Sequence, residues 1–214
     1  MSRTWLRAAG ISFVLALAFG LSAKAVGDPI GMLLVAGSLM SLSAAGAFVK
    51  KAVSWTDGAA GEAQVIRALG DLPDVYTAIS NWVIPGTEQG DVDLVLIGPH
   101  GVLVIEVKNY SSKYECSGDD WVNVKDNGFR KRIKSPSRQL KRNVRAIEAY
   151  LQPLGWTGPV RGVLVLPPKS KPKLEGATVE ILDWASLLPF IQQLTPCKSV
   201  PPIDWFRIGE LSMS

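Results

Sequence analysis

Val92 Asp93 Leu94 Val95 Leu96 Ile97, then Gly98 Pro99 His100 Gly101, then Val102 Leu103 Val104 Ile105 Glu106 Val107 Lys108 run on without a break, and their reading decides the fold. Two apolar, β-branched runs flank a turn-forming tetrad, which predicts a hairpin of two strands. Side chains alternate along a strand, so Glu106 and Lys108 point one way while Leu103, Ile105 and Val107 point the other. Asp93 then sits across from Glu106. The hairpin therefore brings two carboxylates and an ammonium to one sheet face.

That trio suits a hard divalent cation, Mg²⁺ or Mn²⁺, which prefers oxygen ligands and takes one or two carboxylates, leaving its other positions to water and phosphate. Asp93 and Glu106 are the candidate metal ligands. A metal held there lowers the pKa of a bound water, and Lys108 orients the water or neutralises a pentavalent phosphoryl intermediate. The plain alternative is an exposed cross-face ion pair between Glu106 and Lys108, worth ~0.5 kcal/mol.

The run from Gly90 Asp91 Val92 Asp93 through Gly98 Pro99 His100 Gly101 to Glu106 Val107 Lys108 Asn109 resembles the NERD (nuclease-related) domain. The resemblance continues upstream in Gly61 Glu62 and downstream in Ser135 Pro136 Ser137 Arg138 Gln139, and spans roughly Gly58 to Leu194. It implies the PD-(D/E)XK nuclease-like superfamily, an α/β fold of restriction-endonuclease-like architecture with a mixed sheet flanked by helices. By the same resemblance Asp93 takes the place of the metal-binding aspartate, Glu106 of the second acidic ligand and Lys108 of the lysine. Glu62 matches a helical glutamate and Gln139 a downstream glutamine. Metal-dependent cleavage of nucleic acid, DNA ahead of RNA, is what the resemblance implies. A nucleic-acid- or lipid-binding module that keeps the fold without turnover is the alternative.

The 214 residues are enough for one ordinary domain and an appendage. Residues 8–23 carry no charge, and neither do 30–49, a run that as a helix reaches about 30 Å. Lys24 Ala25 Val26 Gly27 Asp28 Pro29 joins them as a short turn, so the expectation is a two-helix transmembrane hairpin. Its small residues, among them Gly31, Gly37, Ser41 and Gly46, suit close-packing membrane helices better than buried soluble ones. Arg3 and Arg7 before the first run and Lys50 and Lys51 after the second place both ends in the cytoplasm, an inner-membrane protein with its soluble domain inside. A secretory signal peptide, ending near Ala23 Lys24 Ala25, is the competing reading. The expected order is an anchor over 1–51, a linker over 52–57, the nuclease-like domain over 58–194 and a tail over 195–214.

Cys116 and Cys197 lack C-x-x-C spacing, which excludes a zinc ribbon and leaves two free thiols as the expected state. The basic excess of the chain, a net charge of +4, is concentrated between Lys125 and Arg145, where Asp126 is the only acid. Arg130, Lys131, Arg132, Lys134, Arg138, Lys141 and Arg142 are the candidate nucleic-acid contacts, since clustered cations attract phosphate whatever the sequence. A solvated face or a contact with anionic lipid explains the same cluster. Trp121 and Phe129 flank it, as base-stacking residues or as core.

Further elements follow local signals. A helix is expected over Ala59 to Leu72 with Glu62 in its first turn, where a carboxylate also simply favours the helix end. Val75 to Val83 reads as a strand whose alternation breaks at Ser80 and Asn81, a bulge or an edge. Ser135 caps a helix that begins at Pro136 and is closed by Pro153 and Gly155, with Leu140, Val144, Ile147 and Leu151 as its buried stripe and Gln139 facing the site. Strands are expected over Arg161 to Leu166 and Thr178 to Leu182, and Asp183 caps a last helix over Trp184 to Leu194. His100, in the hairpin turn, is expected to be exposed.

Overall fold

The computed structural model describes residues 40, 43, 61–87, 90–110 and 113–197. The chain divides into two compact units, Met1–Ala59 and Ala60–Ser214. Of the expected membrane spans only Met40 and Ser43 are described, both helical, so the hairpin lies otherwise outside the described residues, as do the 52–57 linker and residues 198–214. Among the described residues no helix is long and apolar enough to cross a membrane.

The second unit is mixed α/β, with two sheets and three helices. Its five-stranded sheet has the order β1-β2-β3-β7-β9, from β1 (Thr77–Trp82), β2 (Val92–Gly98), β3 (Gly101–Val107), β7 (Val160–Leu166) and β9 (Glu180–Asp183). β1, β2 and β3 are antiparallel, and β3, β7 and β9 parallel. The tetrad makes the tight turn the sequence requires: Gly98 pairs with Gly101, which stands at φ 100, a conformation that favours glycine.

Three helices cover both faces of this sheet. α1 is described over residues 61–69, α2 is Pro136–Leu151 and α3 is Trp184–Gln193. Val95, Ile97, Val102, Val104, Leu164 and Leu166 form one core with Leu140, Ile147 and Leu151 of α2. Leu94, Leu96, Leu103, Ile105, Val163 and Val165 form the other, with Val65 and Leu69 of α1 and Leu187 and Ile191 of α3. Burial on both faces is why β2 and β3 read as nearly unbroken apolar runs rather than alternating ones.

α2 begins where expected, with the Ser135 hydroxyl accepting from the Arg138 N–H at 3.1 Å, and Gly155 at φ 83 ends the short 3₁₀ turn Gln152–Leu154 that follows it. α3 is capped by Asp183, whose carboxylate accepts from the Ser186 N–H at 2.8 Å. β1 is an edge strand with Asn81 at φ 52, the source of the broken alternation.

A second sheet, absent from the sequence reading, has the order β6-β5-β4-β8, from β4 (Lys113–Ser117), β5 (Asp120–Val124), β6 (Arg130–Arg132) and β8 (Lys173–Glu175). Trp121 anchors it: fully buried, its indole N–H donates to the Ser137 hydroxyl at 2.8 Å. Trp121 is thus core and cannot stack on a base. His100 is likewise a correction. It is only 2% exposed, because Tyr76 packs on its ring at 5.4 Å and the chain returns at Cys197, whose N–H bonds to the Pro99 carbonyl.

Candidate active site

The β2–β3 ladder sets the carboxylates. Leu94 pairs with Ile105, and the same register carried one step further sets Asp93 opposite Glu106. The Asp93 carboxylate accepts the Val107 N–H at 2.8 Å, so its position is fixed by backbone as well as by register. Lys108, whose N–H is tied to the Val165 carbonyl, returns its ammonium to the pair, in contact with Glu106 Oε1 and 3.9 Å from Asp93 Oδ2. The expected trio is assembled on one face.

Glu106 is completely buried, whereas the Lys108 side chain keeps 26% of its surface exposed. Burial pushes the Glu106 pKa up to about 7, with the Asp93 charge adding to the effect and Lys108 opposing it. Burial also raises Asp93, against the pull of Lys108 and the Val107 N–H. With the Asp93 charge beside Glu106, ionising both carboxyls at once is disfavoured. For Lys108 burial alone would lower the pKa, but the Glu106 and Asp93 charges more than offset it and the ammonium stays protonated.

Glu62, in the first described turn of α1, reaches the same region. Burial raises its pKa, followed by the charges of Asp93 and Asp91, while Lys108 and a hydrogen bond with Asn81 oppose the rise. The left-handed backbone at Asn81 thus lies beside a residue that its side chain holds.

The α2 contact differs from expectation. Asn143, not Gln139, touches the trio, its side-chain amide donating to Glu106 Oε2 at 3.1 Å in a buried position. Gln139 lies one turn earlier, half-buried, with no side-chain hydrogen bond among the described residues. The signal for Asn143 is present in the sequence: it stands three residues after Leu140 and four before Ile147, a polar side chain in an apolar helical stripe. α2 comes close enough for this contact because Gly162 of β7 has no side chain; a Cβ there would lie 2.8 Å from Val144 and 3.0 Å from Leu140.

The basic cluster is largely answered by acids from the second sheet. Arg130 contacts Glu115, Arg132 and Arg138 meet Asp120 at 3.2 and 2.8 Å, and Lys141 meets Asp119 at 2.8 Å. Lys131, Lys134 and Arg142 are exposed and form no ion pair among the described residues. Asp126 is therefore not the only acid in reach, since strand pairing brings in carboxylates that are distant in sequence.

A family model described as nuclease-related domain, NERD, matches residues 57–167, which hold every residue of this site and more than half of the chain. No curated protein and no solved structure matches. The chain belongs to the NERD, or nuclease-related domain, family.

Proposed function

We propose that the chain is a divalent-metal-dependent phosphodiesterase that hydrolyses nucleic acid, DNA ahead of RNA, and is held at the inner membrane with its catalytic domain in the cytoplasm. The observation that carries the catalytic reading is Glu106, fully buried against Asp93, Lys108 and Asn143. Burying a carboxyl beside another carboxyl costs stability, and such arrangements concentrate at functional sites. The mixed sheet with helices on both faces supports the restriction-endonuclease-like architecture. The uncharged runs 8–23 and 30–49, with their flanking cations, support the membrane hairpin.

The donor set fits the metal. Asp93 and Glu106 present hard oxygens on one face, and Glu106 Oε1 is buried without a hydrogen bond of its own, meeting only the Lys108 ammonium. Among the described residues no group of three or more His, Cys, Asp or Glu is arranged to hold a metal, so Asp93 and Glu106 would share Mg²⁺ or Mn²⁺ with water and phosphate oxygens. When bound, the cation supplies a water of lowered pKa and offsets charge on the phosphoryl oxygens.

The protein's own groups then divide the work. The Asn143 amide and the Val107 N–H hold the two carboxylates in place before substrate arrives. Lys108, partly exposed, offers its ammonium to the incoming phosphoryl group, and Glu62 and Gln139 border the approach. Lys131, Lys134 and Arg142, exposed and without an ion pair among the described residues, form the basic surface that takes the phosphate backbone, while Arg130, Arg132, Arg138 and Lys141 are held by Glu115, Asp119 and Asp120.

One observation favours the binding-module reading, the Lys108 ammonium seated on Glu106 Oε1, which already answers the buried carboxylate's charge. Cleavage of labelled single- and double-stranded DNA and RNA, in Mg²⁺, Mn²⁺ or EDTA, separates the two. Metal-dependent cutting that is lost in Glu106→Ala is the expected result. Binding without cutting under either metal overturns the enzyme reading.

A further inference from the structure

Tyr114 of β4, Asn123 of β5 and Lys131 of β6 are register partners in a row across the second sheet. Alternation puts them on the face that carries Cys116 and Trp121 into the core. The opposite face takes Glu115, Asp120, Arg130 and Arg132, which pair with one another. Lys131 is thereby turned away from the carboxylates that engage its two neighbours.

The inner end of the row reaches the catalytic strand. Tyr114 stacks on Tyr110, with ring centroids 4.1 Å apart and planes 19° from parallel. Tyr110 follows Lys108 by two residues, and burial, then Tyr114 and Glu106, raise the pKa of its phenol. Both tyrosines and Asn123 are half-buried and Lys131 is exposed. Beyond the row the Lys125 N–H bonds to the Phe129 carbonyl, and Phe129 is 56% exposed with the Lys125 ammonium 5.5 Å from its ring centre.

We infer that Tyr110, Tyr114, Asn123 and Lys131 form a ledge that binds an unpaired nucleic-acid strand and leads it to the carboxylates, an inference that rests on the nuclease reading above. Aromatic faces accept bases of any identity, but only bases not already stacked inside a duplex. Asn123 offers an amide to a base edge or phosphate, and Lys131, two strand spacings or about 10 Å from Tyr114, neutralises a phosphate. The ledge thus selects single-stranded or frayed substrate.

Anisotropy titrations of a labelled single strand and a blunt duplex of the same length, with the full chain in EDTA over a salt series, test this. Lys131→Ala is expected to weaken single-strand binding and lower the log–log salt slope by about 0.7, the share of one phosphate. Arg132→Ala, on the paired face, is expected to leave both unchanged. Tyr114→Leu is expected to weaken single-strand binding about tenfold and the duplex little. Equal effects of Lys131→Ala and Arg132→Ala overturn the ledge, as does a Tyr114→Leu loss shared equally by both ligands. Because Tyr114 also packs on the core, the exposed Lys131 decides the matter where Tyr114→Leu unfolds. Failure of the unaltered chain to bind either ligand overturns the nucleic-acid reading with it, whereas binding that ignores Lys131 overturns the ledge alone.

Discussion

Glu106 has no exposed surface and meets Asp93, a second carboxyl whose own pKa is raised, so its charge is costly until something replaces the proton. A carboxyl whose folded pKa of about 7 stands above its ordinary 4.5 stabilises the fold in its protonated form. That contribution is complete below pH 4.5 and is lost as pH rises through about 7. The loss amounts to about 3 kcal/mol, on the order of 6 °C in Tm for a chain of this size. In EDTA the protein is therefore expected to melt several degrees lower at pH 8 than at pH 5.5. Glu106→Gln should flatten that difference, and Mn²⁺ should restore the pH 8 value in the unaltered chain but not in Glu106→Gln. Parallel melting profiles for the two proteins across this range would remove the buried carboxyl as their cause.

At the scale of elements, α2 is the part that carries both structure and chemistry. Its Leu140, Ile147 and Leu151 seal one face of the sheet, and the same face delivers Asn143 to Glu106 Oε2. Asn143→Ala removes that donor and leaves a buried carboxylate oxygen unsatisfied. Partners of this kind usually cost 10- to 100-fold in metal affinity or activity, and a loss of about that size is expected in a Mn²⁺ titration followed by the cleavage assay. Unchanged Mn²⁺ affinity would reduce Asn143 to a packing residue. The helix itself was legible, since its Ser135 cap, Pro136 and apolar stripe are local signals, and so was the β2–β3 hairpin with Asp93 set opposite Glu106. The second sheet was not. Its strands run three to five residues, its outer face is charged, and β4 joins β8 by pairing Cys116 with Leu174, a contact no local pattern announces. The burial of His100 is equally illegible from local pattern: Tyr76 and the backbone at Cys197, both remote in sequence, bury it. The ion pairs of Arg130, Arg132 and Lys141 likewise depend on the β4–β5 hairpin folding back onto β6 and α2.

At the scale of the whole molecule, every described residue of the candidate site lies within Ala60–Ser214, a compact unit with apolar cores on both faces of its main sheet. Residues 1–51 contribute no described side chain to the site, and of their two uncharged runs 30–49 has the length of a membrane span. If those runs serve only to tether, removing them changes where the protein is and not what it does. A fragment of residues 52–214 is therefore expected in the soluble fraction, with the metal dependence and cleavage rate of the full chain. The full chain is expected to stay in the membrane pellet through an alkaline wash, because two spanning helices hold far more firmly than a polybasic surface contact. High salt tells these attachments apart, as it screens the cations between Lys125 and Arg145 but leaves apolar insertion intact. A full chain released by salt alone would place the attachment in the basic cluster, and the hairpin would lose its role as anchor. A soluble fragment that binds metal as the full chain does but no longer cuts would instead make residues 1–51 part of the catalytic apparatus.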